Sequence, residues 1–189
     1  MVDIRQRIAA IDAIAKRRGG SMKADVREPA DPADIAACEE NIALELPPSL
    51  KAFLAKHDGM SIRVHSGSAS ELFDEFSIEV RSAADIAAHT LEFRDFQAQL
   101  DNPPRDVPFA MHYINAVDLG NPDLWWLLDA ADKSAAMEYP LYEVSTMSWP
   151  VDPGNVVAAS FSEFIDRALE FMITTEGGFA YWAEPSTDW

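Results

Sequence analysis

Histidines and carboxylates are the residues of this chain that could carry acid–base or metal chemistry. The chain has 32 Asp and Glu residues and four histidines, which fall in four different predicted elements: His57, His65, His89 and His112. No two histidines have the spacing of a metal-ligand pair, and among 32 acids close carboxylate pairs arise by chance. The sequence also lacks a nucleophile elbow, a glycine-rich phosphate loop and an H-E-x-x-H motif. We therefore expect no catalytic residue, no metal and no cofactor, which predicts that the protein is not an enzyme.

Cys38 is the single cysteine of the chain. One cysteine excludes an intramolecular disulfide, and a cytoplasmic location fits this cysteine content. Because Cys38 lies on the apolar stripe of a predicted helix with Ile35 and Ile42, we expect a packed thiol rather than a nucleophile.

Without catalytic groups, the remaining chemistry is recognition by aromatic and acidic side chains. Trp149, in a Ser-Trp-Pro loop, is the best candidate for an exposed aromatic anchor, and Phe73 lies between acids in a second loop. If residues 124–128 form a strand, Trp125 and Trp126 point to opposite faces, so at most one of them is exposed. The predicted partner-binding residues are Trp149, Tyr142, Trp126, Glu71, Phe73, Asp74 and Glu75.

Negative charge is concentrated in the body of the chain. The 189 residues carry a formal net charge of −17, but residues 1–27 hold seven Lys or Arg against three Asp, and residues 28–189 hold eight against 29 acids. An acidic body repels phosphate, so we expect no nucleic-acid partner unless the first helix binds one alone. Its potential would steer a basic protein partner, although solubility alone is an alternative explanation of the charge.

The segment 31–62 predicts two short helices separated by a double proline. Asp31 is a good N-cap for the first helix, and the prolines at 47 and 48 prevent that helix from continuing. The second helix begins at Ser49 and ends at His57-Asp58-Gly59, because glycine is the usual left-handed C-cap.

Strand patterns occupy most of the rest of the chain. They lie at residues 60–64, 76–80, 107–113, 124–128, 140–144 and 156–159. Capping-box pairs begin two further helices, Ser82 with Asp85 and Ser160 with Glu163. The prediction is an α+β fold with a mixed, largely antiparallel central sheet of about five to six strands, and with helices at the N- and C-terminal ends of the chain packed around it.

Both ends of the chain have a distinct composition. The opening segment is a basic amphipathic helix whose charged residues exclude a secretory signal, and no apolar run is long enough for a membrane span. This helix either docks on its own domain or contacts a partner or a membrane surface. The last residues are aromatic and either pack on the body or on a second subunit, which leaves a homodimer open.

The order of features from Asp31 to Gly59 resembles the opening of the SUKH superfamily. It consists of an acidic helix, then Leu-Pro-Pro, then a short helix bearing Phe-Leu, and then Asp-Gly. Val156 to Ile165 resembles the closing strand and last helix of that family, and Val107 to Ala110 resembles its central strand. The insertion from Ala83 to Pro104 looks longer than usual, and residues 115–123 replace the usual glycine-rich strand pair. We therefore divide the chain into an N-terminal helical extension (1–27), a SUKH-like α+β domain (28–175) and an aromatic tail (176–189).

The resemblance implies a non-catalytic function, since known SUKH members are bacterial immunity proteins and fungal regulators of cell-wall synthesis. Together with the charge, it predicts a bacterial, cytoplasmic immunity protein that neutralises a polymorphic or contact-dependent protein toxin, of a basic, nuclease type. The alternative is a regulatory scaffold module that binds an endogenous partner. A small-ligand or enzymatic domain is a third reading.

Overall fold

The computed structural model describes residues 3–65, 75–98, 109–120, 124–145 and 156–174. Within these residues the chain forms five α-helices: α1 (Ile4–Arg17), α2 (Pro32–Ile42), α3 (Pro48–Leu54), α4 (Ala83–Ala98) and α5 (Phe161–Thr174). The seven strands are β1 (Ser21–Val26), β2 (Met60–His65), β3 (Glu75–Val80), β4 (Tyr113–Asp118), β5 (Leu124–Asp129), β6 (Leu141–Ser145) and β7 (Val156–Ala158). A 3-10 helix, Phe109–His112, precedes β4.

The strands form one sheet in which spatial order equals chain order, from β1 to β7. Each strand pairs antiparallel with the next one along the chain. This arrangement confirms the α+β class and corrects two details, because the sheet has seven strands rather than five to six and none of its described pairs is parallel. The strand missing from the sequence prediction is β1, which lies at the sheet edge and is exposed at four of its six positions. Its residues Met22, Ala24 and Val26 alternate with polar ones, so a strand pattern was present that the prediction did not use.

The main core lies between the sheet and helices that include α1 and α5. Ile62 faces Ile78 across β2 and β3, and both side chains are fully buried. Phe53 of α3 meets Phe161 of α5 edge to face, with 5.4 Å between ring centroids. Burying this apolar surface is the main source of stability of such a layered domain.

The N-terminal helix α1 docks on its own domain. Ile4, Ile11 and Ala15 are buried in the main core, and Arg7 forms an ion pair with Glu170 of α5. The strand β1 then pairs with β2 and so belongs to the same sheet as the other strands. Helix α1 belongs to the same core as the other helices. The domain boundary at residue 27 stays a prediction.

Two predicted element boundaries were wrong. Helix α3 ends at Leu54, and Gly59, with φ +99°, instead leads the chain into β2. The strand predicted at 107–113 begins only at Tyr113, because the four residues before it coil into the 3-10 helix. Residues 101–108 lie outside the described part of the chain.

The helix starts predicted at Asp31, Ser82 and Ser160 are confirmed by their hydrogen bonds, whereas the helix predicted to begin at Ser49 begins at Pro48 and has no side-chain cap. Asp31 Oδ1 accepts from the backbone N–H of Ala33 at 2.8 Å. The Oγ of Ser82 accepts from the N–H of Asp85, and the Oγ of Ser160 accepts from the N–H of Glu163, both at 3.1 Å. These bonds satisfy amide groups that a helix leaves unpaired in its first turn.

Candidate protein-binding site

A groove of about 720 Å³ lies between α4 and the strands β4 and β5. Its lining combines aromatic and acidic side chains. The aromatic members are Phe93, Phe96 and Trp125, and the acidic members are Glu92, Asp95 and Asp118.

The aromatic wall of the groove is built from two elements. Trp125 of β5 meets Phe93 at a centroid distance of 4.6 Å and Phe96 at 5.2 Å, with ring planes nearly perpendicular in both pairs. Phe93 is 2% exposed, whereas Phe96 is 42% exposed and Trp125 is half-buried. The wall therefore has a buried inner ring, which fixes its geometry, and an outer ring available to a partner.

Exposed apolar side chains are concentrated around α4. Leu91 and Phe96 line the groove with 41% and 42% of their surfaces exposed. Met111, at 47%, lies next to this helix, because its carbonyl oxygen accepts a hydrogen bond from Arg94 of α4 at 2.9 Å. Exposed apolar side chains in a groove that also contains charged residues are typical of a protein-binding site.

The acidic side chains lie on the solvent side of the groove. Glu92 is 75% exposed and Asp118 is 41% exposed, and Asp95 is also exposed. His89 contacts Glu92, with 3.1 Å between Nδ1 and Oε2. Such carboxylates stay hydrated in the free protein and can be neutralised by a basic partner.

Arg81 lies at the base of the groove and is held by its neighbours. Its Nη1 donates to Oδ1 of Asn115 at 3.0 Å, and its Nη2 donates to Oδ2 of Asp118 at 3.1 Å. Asn115 is in turn fixed by its backbone N–H, which donates to Oγ1 of Thr90 in α4 at 3.0 Å. The charge of Arg81 is thus compensated by Asp118, and Glu92 and Asp95 leave the groove acidic.

The alternation of β5 explains why the groove forms here. Trp126 and Leu128 belong to the main core, whereas Leu127 and Trp125 face a second, smaller apolar cluster on the opposite side of the strand. Phe93 of α4 joins that second cluster. Trp125 lies at the border of this cluster, because it contacts both the buried ring of Phe93 and the exposed ring of Phe96.

The structure does not bring Trp126 and Tyr142 together as one surface. Trp126 is 3% exposed and packs in the main core against Phe164, whereas Tyr142 is 7% exposed and belongs to the second cluster. The Oη of Tyr142 donates to Oδ2 of Asp132 at 3.3 Å. Burial, with a further contribution from Asp132, raises the pKa of Tyr142. Neither ring offers a wide face to solvent in this structure.

Most of the other predicted partner-binding residues lie outside the described part of the chain. Trp149, Glu71, Phe73 and Asp74 all lie outside it, and Glu75 is described only as the first backbone position of β3, opposite His65. Partner contact at the seven predicted positions stays a prediction.

Leu91, Phe96 and Trp125 were not predicted as site residues. The spacing of residues in α4 did contain a signal. Its buried face contains Ile86, Thr90 and Phe93. Leu91 and Phe96 are five and ten residues from Ile86, which places them off that face. For Trp125, the strand pattern predicted that it and Trp126 face opposite sides. It did not indicate which side is open.

Among the described residues, nothing resembles a catalytic centre. No group of three or more His, Cys, Asp or Glu side chains there is arranged to hold a metal ion. Cys38 is 2% exposed, and burial raises the pKa of its thiol to about 11, so it is not a thiolate near neutral pH. In the same described ranges, every helix is too short or too polar to cross a bilayer.

Residues 29–167 match the SMI1 / KNR4 family (SUKH-1). This match covers well over half of the chain and includes every residue of the groove, so the chain belongs to this family. The SUKH family is generally non-catalytic, and membership suggests protein–protein interaction and is consistent with an immunity or regulatory module. No curated protein matches the chain.

Proposed function

We propose that this protein is a non-catalytic immunity protein that binds and neutralises a basic protein toxin, of a nuclease type, in the bacterial cytoplasm. The observation that carries the proposal is the groove beside α4, in which exposed Leu91 and Phe96 stand next to the carboxylates of Glu92 and Asp95. Apolar anchors and acidic charges side by side match the needs of a surface that captures a cationic protein.

Neutralisation would work by occlusion of the toxin. The net charge of −17 attracts a basic toxin from a distance and raises the association rate. Aromatic contacts that exclude water, such as those available at Phe96, then lower the dissociation rate. Trp149 and the segment from Glu71 to Glu75 are proposed as further contacts, and Tyr142 and Trp126 would act chiefly by holding the strands in place.

A second candidate is a regulatory module that binds an endogenous protein. The same groove supports it, because its side chains select the chemistry of a partner and not the origin of that partner. In that case the groove would stay occupied in cells that encode no toxin. A homodimer through the exposed apolar residues would be a variant of this second candidate.

Co-expression with the candidate toxin encoded nearest to this protein tests the proposal. We expect survival of the host and co-purification of the two chains. A toxin that still kills in the presence of a folded, soluble form of this protein, with no complex formed, would refute immunity against that toxin. Affinity capture from the native host would then test the regulatory alternative.

A further inference from the structure

We propose that the groove between α4 and β5 binds a basic amphipathic segment of the partner, with an arginine side chain laid against Phe96 and Trp125. This inference rests on the proposed function only in that the protein must bind another protein. It names the surface and the chemistry of the segment that occupies it.

The apolar part of the groove requires an apolar face on the partner. Leu91 and Phe96 each expose about two fifths of their surface, and Trp125 is half-buried beside them. Covering such side chains removes apolar surface from water, which favours binding by aliphatic or aromatic groups. A purely polar cationic chain would leave this favourable contribution unused.

The acidic rim requires positive charge on the same segment. Glu92 and Asp95 are one helical turn apart on α4 and both are exposed, whereas the carboxylate of Asp118 on β4 is already paired with Arg81. A partner segment with acids at these positions would be repelled, and a neutral one would leave the carboxylates without a counterion. The cation is therefore expected to lie at the rim while the apolar face lies deeper in the groove.

Arg81 does not reverse this charge preference. It is 7% exposed, and two of its nitrogen atoms already donate to Asn115 and Asp118. An acidic ligand would have to compete with Asp118 for a buried guanidinium, and it would also approach Glu92 and Asp95.

Arginine suits this combination better than lysine does. Its planar guanidinium can stack on the face of an aromatic ring while it donates hydrogen bonds to a carboxylate. The groove offers both partners, because the exposed carboxylate of Glu92 and the exposed ring of Phe96 are four residues apart on α4 and are therefore neighbours on the helix surface.

Three labelled synthetic peptides of equal length test the inference against the full chain. One alternates arginine with leucine, the second alternates glutamate with leucine, and the third alternates arginine with serine. Fluorescence anisotropy would measure affinity, and the indole N–H resonances of the five tryptophans would report which indole the peptide contacts. We expect the arginine–leucine peptide to bind at least about tenfold more tightly than either control and to shift the Trp125 resonance.

Two pairs of variants locate the binding. Phe96→Ala should weaken the arginine–leucine peptide at least about tenfold, whereas Val156→Ala, at a 39% exposed apolar position on β7, should not. Glu92→Gln with Asp95→Asn should weaken it about threefold or more. The matched control, Asp25→Asn with Glu28→Gln, removes the same charge from exposed positions in and just after the edge strand β1 and should have a smaller effect. If Phe96→Ala lowers the melting temperature, Leu91→Ala replaces it.

Equal binding of the glutamate–leucine peptide, or unchanged affinity in both Phe96→Ala and Leu91→Ala, would overturn the inference. Its failure is distinguishable from failure of the proposed function. If groove variants still neutralise a toxin fully, the groove is not the binding surface and the proposed immunity function stands. If the groove binds the basic peptide but the protein neutralises no toxin, the inference about the groove stands and the proposed immunity function fails.

Discussion

Arg81 Nη2 lies 3.1 Å from Oδ2 of Asp118, and this ion pair links the end of β3 to the end of β4 at the base of the groove. The two partners differ in exposure, since the side chain of Arg81 is 8% exposed and that of Asp118 is 41% exposed. Loss of Asp118 would leave a buried guanidinium without its counter-charge, whereas loss of Arg81 would leave a carboxylate that water can hydrate.

Arg81→Met should lower the free energy of unfolding by about 2–4 kcal/mol, because it leaves the buried Oδ1 of Asn115 without its donor. Asp118→Asn should cost about 1–3 kcal/mol, because the amide oxygen can still accept a hydrogen bond from Arg81 but leaves its buried guanidinium without a counter-charge. Urea unfolding of the two variants and the wild type measures both values. An unchanged unfolding free energy in Arg81→Met would mean that Asn115 has little part in holding the guanidinium.

Gly59→Ala should destabilise the protein more than Gly19→Ala. Both glycines have positive φ, +99° and +80°, so an added methyl group costs about 1–2 kcal/mol of backbone strain at each position. Only at Gly59 would the new Cβ also meet backbone atoms, at 3.0 Å from the oxygen of Val80 and 3.1 Å from the nitrogen of Ser82. The midpoint of urea unfolding should thus fall further for Gly59→Ala, and indistinguishable midpoints would contradict this close packing.

Asp85 should make stability depend on acid pH. A hydrogen bond from Ser82 Oγ, at 2.7 Å, is the main cause that lowers the pKa of this carboxyl, and Arg27 adds to it. A folded-state pKa below the ordinary value means that the stabilisation is present above the ordinary value of 3.8 and is lost as the pH falls below it. The difference in unfolding free energy between wild type and Asp85→Asn should accordingly shrink between pH 7 and pH 3.

The variant Ser82→Ala is the control for that prediction. It removes the principal cause of the lowered pKa, so most of the pH dependence contributed by Asp85 should disappear with it. A gap between wild type and Asp85→Asn that stays constant with pH would show that this carboxyl has an unshifted pKa in the folded protein.

Association with a basic toxin should slow markedly as salt is raised. Charge steering acts over roughly 10 Å at 0.1 M salt and over less at higher concentration, whereas apolar contacts are little affected. Stopped-flow measurement of the association rate at low and high salt tests this. An association rate indifferent to salt would mean that the net charge of −17 has no role in recognition.

Features set by neighbouring residues could be predicted from the sequence. The N-caps at Asp31, Ser82 and Ser160 are local hydrogen bonds, and the apolar run of β5 identifies a strand buried on both faces. These features, with the family resemblance, were enough to predict the fold class. The strand β1 has a period-two pattern in Met22, Ala24 and Val26, but its place at the sheet edge is fixed by pairing with β2, about forty residues away.

The groove could not be predicted in the same way. Phe96 and Trp125 meet because α4 lies on β4 and β5, and their exposure depends on how far the helix extends over that side of the sheet. Sequence spacing showed that two tryptophans face opposite sides of one strand. Which of them remains open to solvent is a property of the packed layers.

The strictly sequential order of the sheet has a consequence for folding. Every strand pairs with its predecessor along the chain, so the sheet can grow by adding one strand at a time from either side. Contact between α1 and α5, marked by Arg7 and Glu170, instead joins residues 163 positions apart. Closing this contact carries a larger loop entropy, so α1 is expected to dock late and to open first in native-state hydrogen exchange, with the register of the sheet intact beneath it.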